Sequence, residues 1–182
     1  LNIQFLSSKL DRKNMLADLS AQQIDFVIDL VQPYQENLQF ENLIEDHFVA
    51  CTLQTEMDLS LYLSSPHIGV SSRRTGLLLE DIYLNRQQLS RQIFMRCQHY
   101  STALQVLAQY PKSILTIPHS ILKHLHYAQD LKIHQLPIEL PKIKMGMYWH
   151  EHVRQNPRHQ FLRNEILKIF NHNLFDEDLH IV

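Results

Sequence analysis

The opening residues Leu1-Asn2-Ile3-Gln4-Phe5 alternate apolar and polar, the period-two pattern of a half-buried strand running to Leu6. Asp11 then stands as a helix cap before Met15, Leu16 and Leu19, which recur at helical spacing. Ile24-Asp25-Phe26-Val27-Ile28 is short, apolar and β-branched, which predicts a strand buried on both faces. Strand, helix and buried strand together make the βαβ signature of a parallel sheet. Pro33 closes that unit, and Leu38 to Leu53 follows as two extended segments, of which His47-Phe48-Val49-Ala50-Cys51 is the more buried. A short helical stretch, Met57 to Leu63, ends at Ser64-Ser65-Pro66.

From there the pattern restarts. Strands are predicted at His67–Ser71, Gln92–Cys97, Ser113–Ile117, Leu131–His134 and Ile143–Trp149. Helices are predicted at Leu77–Gln88 and Ser101–Tyr110, with another beginning at Pro118, whose missing N–H costs nothing in a first turn. Pro157 opens a last amphipathic helix through Phe161, Leu162, Ile166 and Ile169. No fixed-period repeat and no low-complexity stretch interrupts this order. The pattern is one α/β unit, a second α/β unit, and a final strand and helix that it assigns to neither. In a two-lobed α/β protein a ligand sits between the lobes, at the carboxyl ends of strands.

Composition narrows the function. The chain has 182 residues and 45% hydrophobic content, enough for one large domain or two small lobes. It carries only 3 glycines. Gly69, Gly76 and Gly146 are too scattered to let a backbone cradle a phosphate, which excludes a dinucleotide-binding turn and a P-loop. Lys and Arg number 17 against 19 acids, and Arg73-Arg74 is the longest basic cluster, so these residues do not grip nucleic acid themselves. Cys51 and Cys97 lie in strand-like runs and are expected as buried, reduced thiols. No leader pattern opens the chain and no apolar run reaches the length of a membrane span, so a soluble, cytoplasmic protein with no membrane partner is expected.

Catalytic and metal chemistry find little support. His124 and His126, and His150 and His152, are spaced two apart with His159 beyond, so His150 and His152 could share a strand face as a ligand pair. Further ligands at zinc-site spacing are lacking, and the expectation is no metal and no cofactor. A metal-dependent enzyme around those histidines stays open as a third reading. Ser7-Ser8, Ser64-Ser65 and Ser71-Ser72 sit in no nucleophile motif, which argues against an enzyme. Ser71-Ser72-Arg73-Arg74-Thr75-Gly76 leaves a buried strand and enters a helix. Hydroxyls, guanidinium groups and a helix start converge there on an anion, or the segment is a solvated loop with a cap.

The ordered segments resemble the effector-binding domain of LysR-type transcriptional regulators. Gln23-Ile24-Asp25-Phe26-Val27-Ile28 is similar to the family's apolar-Asp-apolar strand, and Leu43-Ile44-Glu45-Asp46-His47-Phe48-Val49 to the end of the following strand pair. Pro66 to Ser71 resembles the strand opening the second lobe. Arg96 to Pro118, with His99-Tyr100-Ser101 and Leu115-Thr116-Ile117-Pro118, resembles its helix and next strand. Leu140-Pro141 to Trp149-His150-Glu151 and Asn156-Pro157-Arg158-His159-Gln160-Phe161-Leu162-Arg163 resemble the nodulation-regulator-like branch. The likeness spans nearly the whole chain.

The resemblance implies an α/β, periplasmic-binding-protein-like (type 2) fold, with two α/β lobes joined by crossing strands. Residues 1–53 plus 145–182 would form the first lobe and residues 54–144 the second. By this likeness the chain starts at the family's second strand, so the first lobe lacks its first strand and helix. The effector site would be lined by Ser7, Ser8 and Asp29 from the first lobe and by Ser71, Ser72, His99, Tyr100, Thr116 and Pro118 from the second. The family usually carries glycine where this chain has Gln22 and Asp29, and the acid at Asp29 argues against an anionic effector. The implied function is small-molecule sensing and oligomerisation, as homodimer or homotetramer, in a regulator that reaches promoter DNA only through a separate N-terminal winged helix-turn-helix. The alternative is a solute-binding protein of the same fold.

Overall fold

The computed structural model describes residues 3–6, 14–33, 35–71 and 75–173, with side chains through residue 170. The elements in chain order are α1 (Met15–Ser20), β1 (Val27–Leu30), β2 (Leu38–Asp46), β3 (Phe48–Thr52), α2 (Leu59–Ser64), β4 (Pro66–Val70), α3 (Leu79–Arg86) and β5 (Gln92–Cys97). They continue as α4 (Tyr100–Gln109), β6 (Ile114–Pro118), α5 (His119–Leu122), β7 (Lys132–Gln135), β8 (Ile143–His150), a 3-10 turn (Glu151–Val153) and α6 (Pro157–Asn173). The chain divides into two units, one built from residues up to 45 with those from 144 onward, the other from residues 46–143.

In the first unit the strand order is β1-β8-β2. Side chains alternate across a strand, so Tyr148 of β8 faces one way and Met147 and Trp149 the other. Tyr148 joins Val27 and Leu38 against Met15 and Leu19 of α1. Met147 and Trp149 join Leu43 against Ile166, Leu167 and Phe170 of α6. Phe40 of β2 lies across Gly146 of β8, where a Cβ would overlap the ring. Glycine at 146 is therefore a packing requirement.

The second unit has strand order β5-β4-β6-β3-β7. β4 runs parallel to both β5 and β6, and β3 runs antiparallel to β6 and β7. Val49, Cys51, Leu115 and Ile117 point to the face covered by α4 and α5. Ala50 and Ile114 point to the opposite face, under Tyr62 of α2 and Leu84 of α3. Both cysteines are free and buried, and burial pushes the Cys51 thiol up to about 12.

The structure departs from the expectations in three places, two read from the pattern and one, the lobe boundary, implied by the resemblance. Residues 3–6 form no strand, and Phe5 is 91% exposed. Alternation alone cannot make a strand without a neighbour to share its hydrogen bonds. β1 pairs with β8 in the antiparallel sense and lies at a sheet edge, so it is not a parallel strand buried on both faces. β3, counted with the first lobe by the boundary at 53, is a central strand of the second sheet, and the observed division comes at 45/46. All five of its residues are buried, which only a strand flanked on both edges and covered on both faces achieves. The predicted cap Asp11 lies outside the described residues; Asn14 occupies the cap position of α1, and its side chain makes no capping bond to the first turn.

Two helices end in the same way without glycine. At α1, Gln22 N–H donates to Leu19 O at 3.2 Å and Gln23 N–H to Asp18 O at 3.0 Å. At α3, Gln88 N–H donates to Asn85 O and Leu89 N–H to Leu84 O, both at 3.0 Å. These are Schellman closures, which place the residue after the cap in the left-handed region. Gln22 has φ 55° and Gln88 φ 59°. The glycine missing at Gln22 is thus missing from a position whose backbone still requires its conformation.

Candidate functional site

Parallel strands place their connecting loops at one end of the sheet. From β4 the chain passes through α3 to β5 on one side; from β6 it passes through α5 toward β7 on the other. Neighbouring parallel strands whose connections diverge leave a crevice at their carboxyl ends, where α/β proteins bind ligands. Ser71 stands at the end of β4 and Pro118 at the end of β6. Ser71 N–H donates to Cys97 O at 3.0 Å, joining the end of β4 to the end of β5. Two residues on, His99 is exposed and caps α4 through its backbone, its carbonyl accepting from Ala103 N–H at 3.1 Å. Tyr100 packs half-buried against the core, and burial raises its hydroxyl above the usual range.

The β6–α5 corner is fixed from β2 and the residue after it. Asp46 Oδ2 accepts from Ser120 N–H at 3.1 Å and from Ser120 Oγ–H at 2.6 Å. His119 N–H donates to His47 O at 2.9 Å. In the loop after β4, Gly76 adopts φ 98°, and Arg96 Nη2 donates to its carbonyl.

Ser71, His99, Tyr100 and Pro118 therefore belong to loops and strand ends at one edge of the second sheet. Ser7, Ser8 and Ser72 lie outside the described residues, as do Arg73 and Arg74. Asp29 lies on β1 of the first unit, half-buried, and its Oδ1 accepts from Leu30 N–H at 2.8 Å. Thr116 is 1% exposed, and its side chain points to the α2–α3 face. Its hydroxyl bonds Tyr62 Oη at 2.8 Å and accepts from Arg91 Nη1 at 2.7 Å.

Those bonds belong to a buried polar cluster that single-residue patterns did not reveal. Arg91, whose side chain is 1% exposed, pairs with Glu80 at 3.0 Å and with Asp81 at 2.8 Å. It also donates to Tyr62 Oη at 3.1 Å and lies 3.3 Å from His67 Nδ1. His67 Nε2–H donates to Tyr62 O at 2.5 Å, so its Nδ1 is left as an acceptor facing the guanidinium. Burial, reinforced by the Arg91 charge, lowers the His67 pKa to about 3. Burial raises the Glu80 carboxyl above its usual range, and Arg91 opposes that shift. Every strong group in the cluster is engaged by another member, which is the arrangement of an internal brace. The visible sequence signal was Glu80-Asp81 in the first turn of α3; nothing marked Arg91 as their partner.

His150 and His152 do come together, their Nδ1 atoms 2.5 Å apart, with Gln22 Nε2 at 2.8 Å from His152 Nε2. They meet because the 3-10 turn folds His152 back, not because they share a strand face.

Comparison with known proteins decides the family. The model of the LysR substrate binding domain matches residues 2–170. The chain belongs to this family. As a LysR substrate-binding domain it is 21% identical over 177 residues to the HTH-type transcriptional activator NagR of a Ralstonia species, covering 93% of this chain and 58% of NagR. It thus spans little more than half of that relative's length. The regulatory domain of MexT, a transcriptional activator in Pseudomonas aeruginosa, superposes with TM-score 0.73 at 18% identity over 86% of this chain and 77% of that one. The BenM effector binding domain with its effector benzoate gives TM-score 0.70 at 12% identity over 95% and 81%. The fold is the periplasmic-binding-protein-like type 2 architecture expected from the sequence. Among the described residues no helix of this LysR domain is long and apolar enough to cross a membrane.

Proposed function

We propose that this LysR substrate-binding domain senses a small organic effector at the carboxyl ends of β4, β5 and β6. The observation that carries the reading is the divergence of the β4 and β6 connections, with Ser71 and Pro118 at the two strand ends where α/β sheets take ligands. Ser71, Ser72 and His99 supply polar contacts, and Tyr100 and Pro118 apolar surface. Thr116 supports the rim from beneath, its hydroxyl held by Tyr62 and Arg91. This mixture suits small aromatic compounds, and the effector benzoate of the BenM effector binding domain carries such a ring. In the longer protein, effector binding alters the grip of a separate N-terminal winged helix-turn-helix on promoter DNA. Such coupling requires the effector to bind two states with different affinity. The role is regulatory rather than catalytic, in a cytoplasmic homodimer or homotetramer. The run from Asn156 to Arg163 supports placement in the nodulation-regulator-like branch.

A thermal-shift screen of small aromatic and carboxylic acids tests the reading. A true effector at about 100 times its Kd adds about 2.7 kcal/mol of stability. Ser72→Ala and Tyr100→Ala are each expected to reduce that shift; Ser72→Ala should leave the unliganded melting temperature within a few degrees, whereas Tyr100→Ala, which removes packing against the core, should lower it while the domain still folds. Equal shifts in both variants and the parent would remove these residues from the site.

A further inference from the structure

We infer that Asp46, His47 and His119 form a binding site for a divalent first-row transition-metal ion of the Zn2+, Co2+ or Ni2+ type. The site lies wholly within the second unit and does not depend on the effector reading. One ligand-type atom from each of the three side chains falls within 4.8 Å of the others. The grouping is not an accident of mobile side chains. The His119 N–H to His47 O bond of 2.9 Å fixes the two backbones together, and the imidazole rings stack with centroids 4.9 Å apart. Asp46 is buried and its carboxylate is oriented by His47 N–H at 2.7 Å and Ser120 Oγ–H at 2.6 Å, the outer-shell support that ligating carboxylates need.

His119 Nε2 is buried and has no hydrogen-bond partner among the described residues. Leaving a buried polar nitrogen unpaired is costly, and a metal bond would satisfy it. Two imidazoles with one carboxylate match the borderline donor set preferred by zinc, cobalt and nickel, while calcium and magnesium favour all-oxygen sites. Donors on one zinc ion stand at most about 4.2 Å apart, twice a bond of roughly 2.1 Å. The 4.8 Å spread must therefore tighten on binding, and the His47 side chain, 52% exposed, has room to turn. Three protein ligands leave a fourth position open, as in sites that exchange water or ligand.

The test uses the 182-residue chain stripped with chelator and titrated with ZnCl2 by calorimetry and with CoCl2 by visible absorption. One equivalent should bind, with Co2+ producing the d–d bands of a low-coordinate site. Since even outer-shell changes weaken metal sites by about 10–100-fold, His47→Ala and His119→Ala should each lower affinity by more than about 10-fold. His152→Ala should bind as the parent does. His47 is half-exposed, so its variant is expected to fold, with circular dichroism as the check. Absence of one-equivalent binding in the parent, unchanged affinity in folded His47→Ala, or loss confined to His152→Ala would each overturn the assignment.

Discussion

Arg91 illustrates how a residue can be central without being conspicuous. Its guanidinium holds two carboxylates, a phenol and a threonine hydroxyl at 1% exposure, and Glu80 has no other cation at hand in the cluster. Removing one partner of a buried ion pair strands the other charge, typically at about 3–5 kcal/mol. Arg91→Met is therefore expected to lose stability on that scale in urea denaturation, and a second change, Glu80→Gln, to recover part of it. Independent losses in the double variant would mean the two residues are not coupled. His67 adds a pH signature. Its folded pKa lies near 3, below the ordinary value of about 6.5, so below pH 6.5 the unfolded chain takes up a proton that the folded chain refuses. Stability should fall as pH drops through that window, with a slope from this group approaching about 1.4 kcal/mol per pH unit. Burial lowers His119 and His159 as well, which acts in the same direction. Urea midpoints between pH 7 and pH 5 should converge for the parent and His67→Gln as pH falls, and parallel curves would exclude the histidine as a source. The grouping of these residues is not legible in the sequence, because its members are brought together from two helices and three strand regions by the sheet itself.

At the scale of elements, period and turn chemistry carried most of the information. Strands β2 to β8 and helices α2 to α6 fall within a few residues of their predicted spans, since each has an apolar face with a partner to bury it against. Residues 3–6 have the alternation without a partner strand among the described residues. Helix ends were harder to read, because the usual stop signal, glycine, is replaced by glutamine at α1 and α3. A side chain in the left-handed region costs roughly 1 kcal/mol relative to glycine. Gln88→Gly is thus expected to raise stability by about that amount, with Leu84 and Leu89 still in contact across the closure. Gln22→Gly should gain less, because it also gives up the contact with His152. Thermal melts decide it: a fall in melting temperature on Gln88→Gly would contradict a left-handed backbone at residue 88.

For the molecule as a whole, the order of segments revealed the family where no single segment did, and the placement of the residues proposed for the site was legible only in part. Ser71, His99 and Pro118 stand at strand ends because parallel βαβ units put their loops at one edge, a consequence of topology that pattern reading anticipates. Thr116 shares its strand face with Pro118, yet its hydroxyl is already engaged by Tyr62 and Arg91 in the buried brace rather than presented at the strand end. The two ends of the second unit therefore make different predictions for any compound that shifts its melting temperature. If the effector occupies the carboxyl ends, hydrogen exchange should slow most in the backbone around residues 70–78, 97–101 and 118–122. The brace around Tyr62, His67 and Arg91 is already closed by its own bonds and should change little. Local opening energies are lowest where few buried contacts hold the chain, so ligand protection is easiest to detect in these loops. Slowing centred on residues 62–67 and 80–91 instead would place the compound against the brace and move the sensing site to the other end of the sheet.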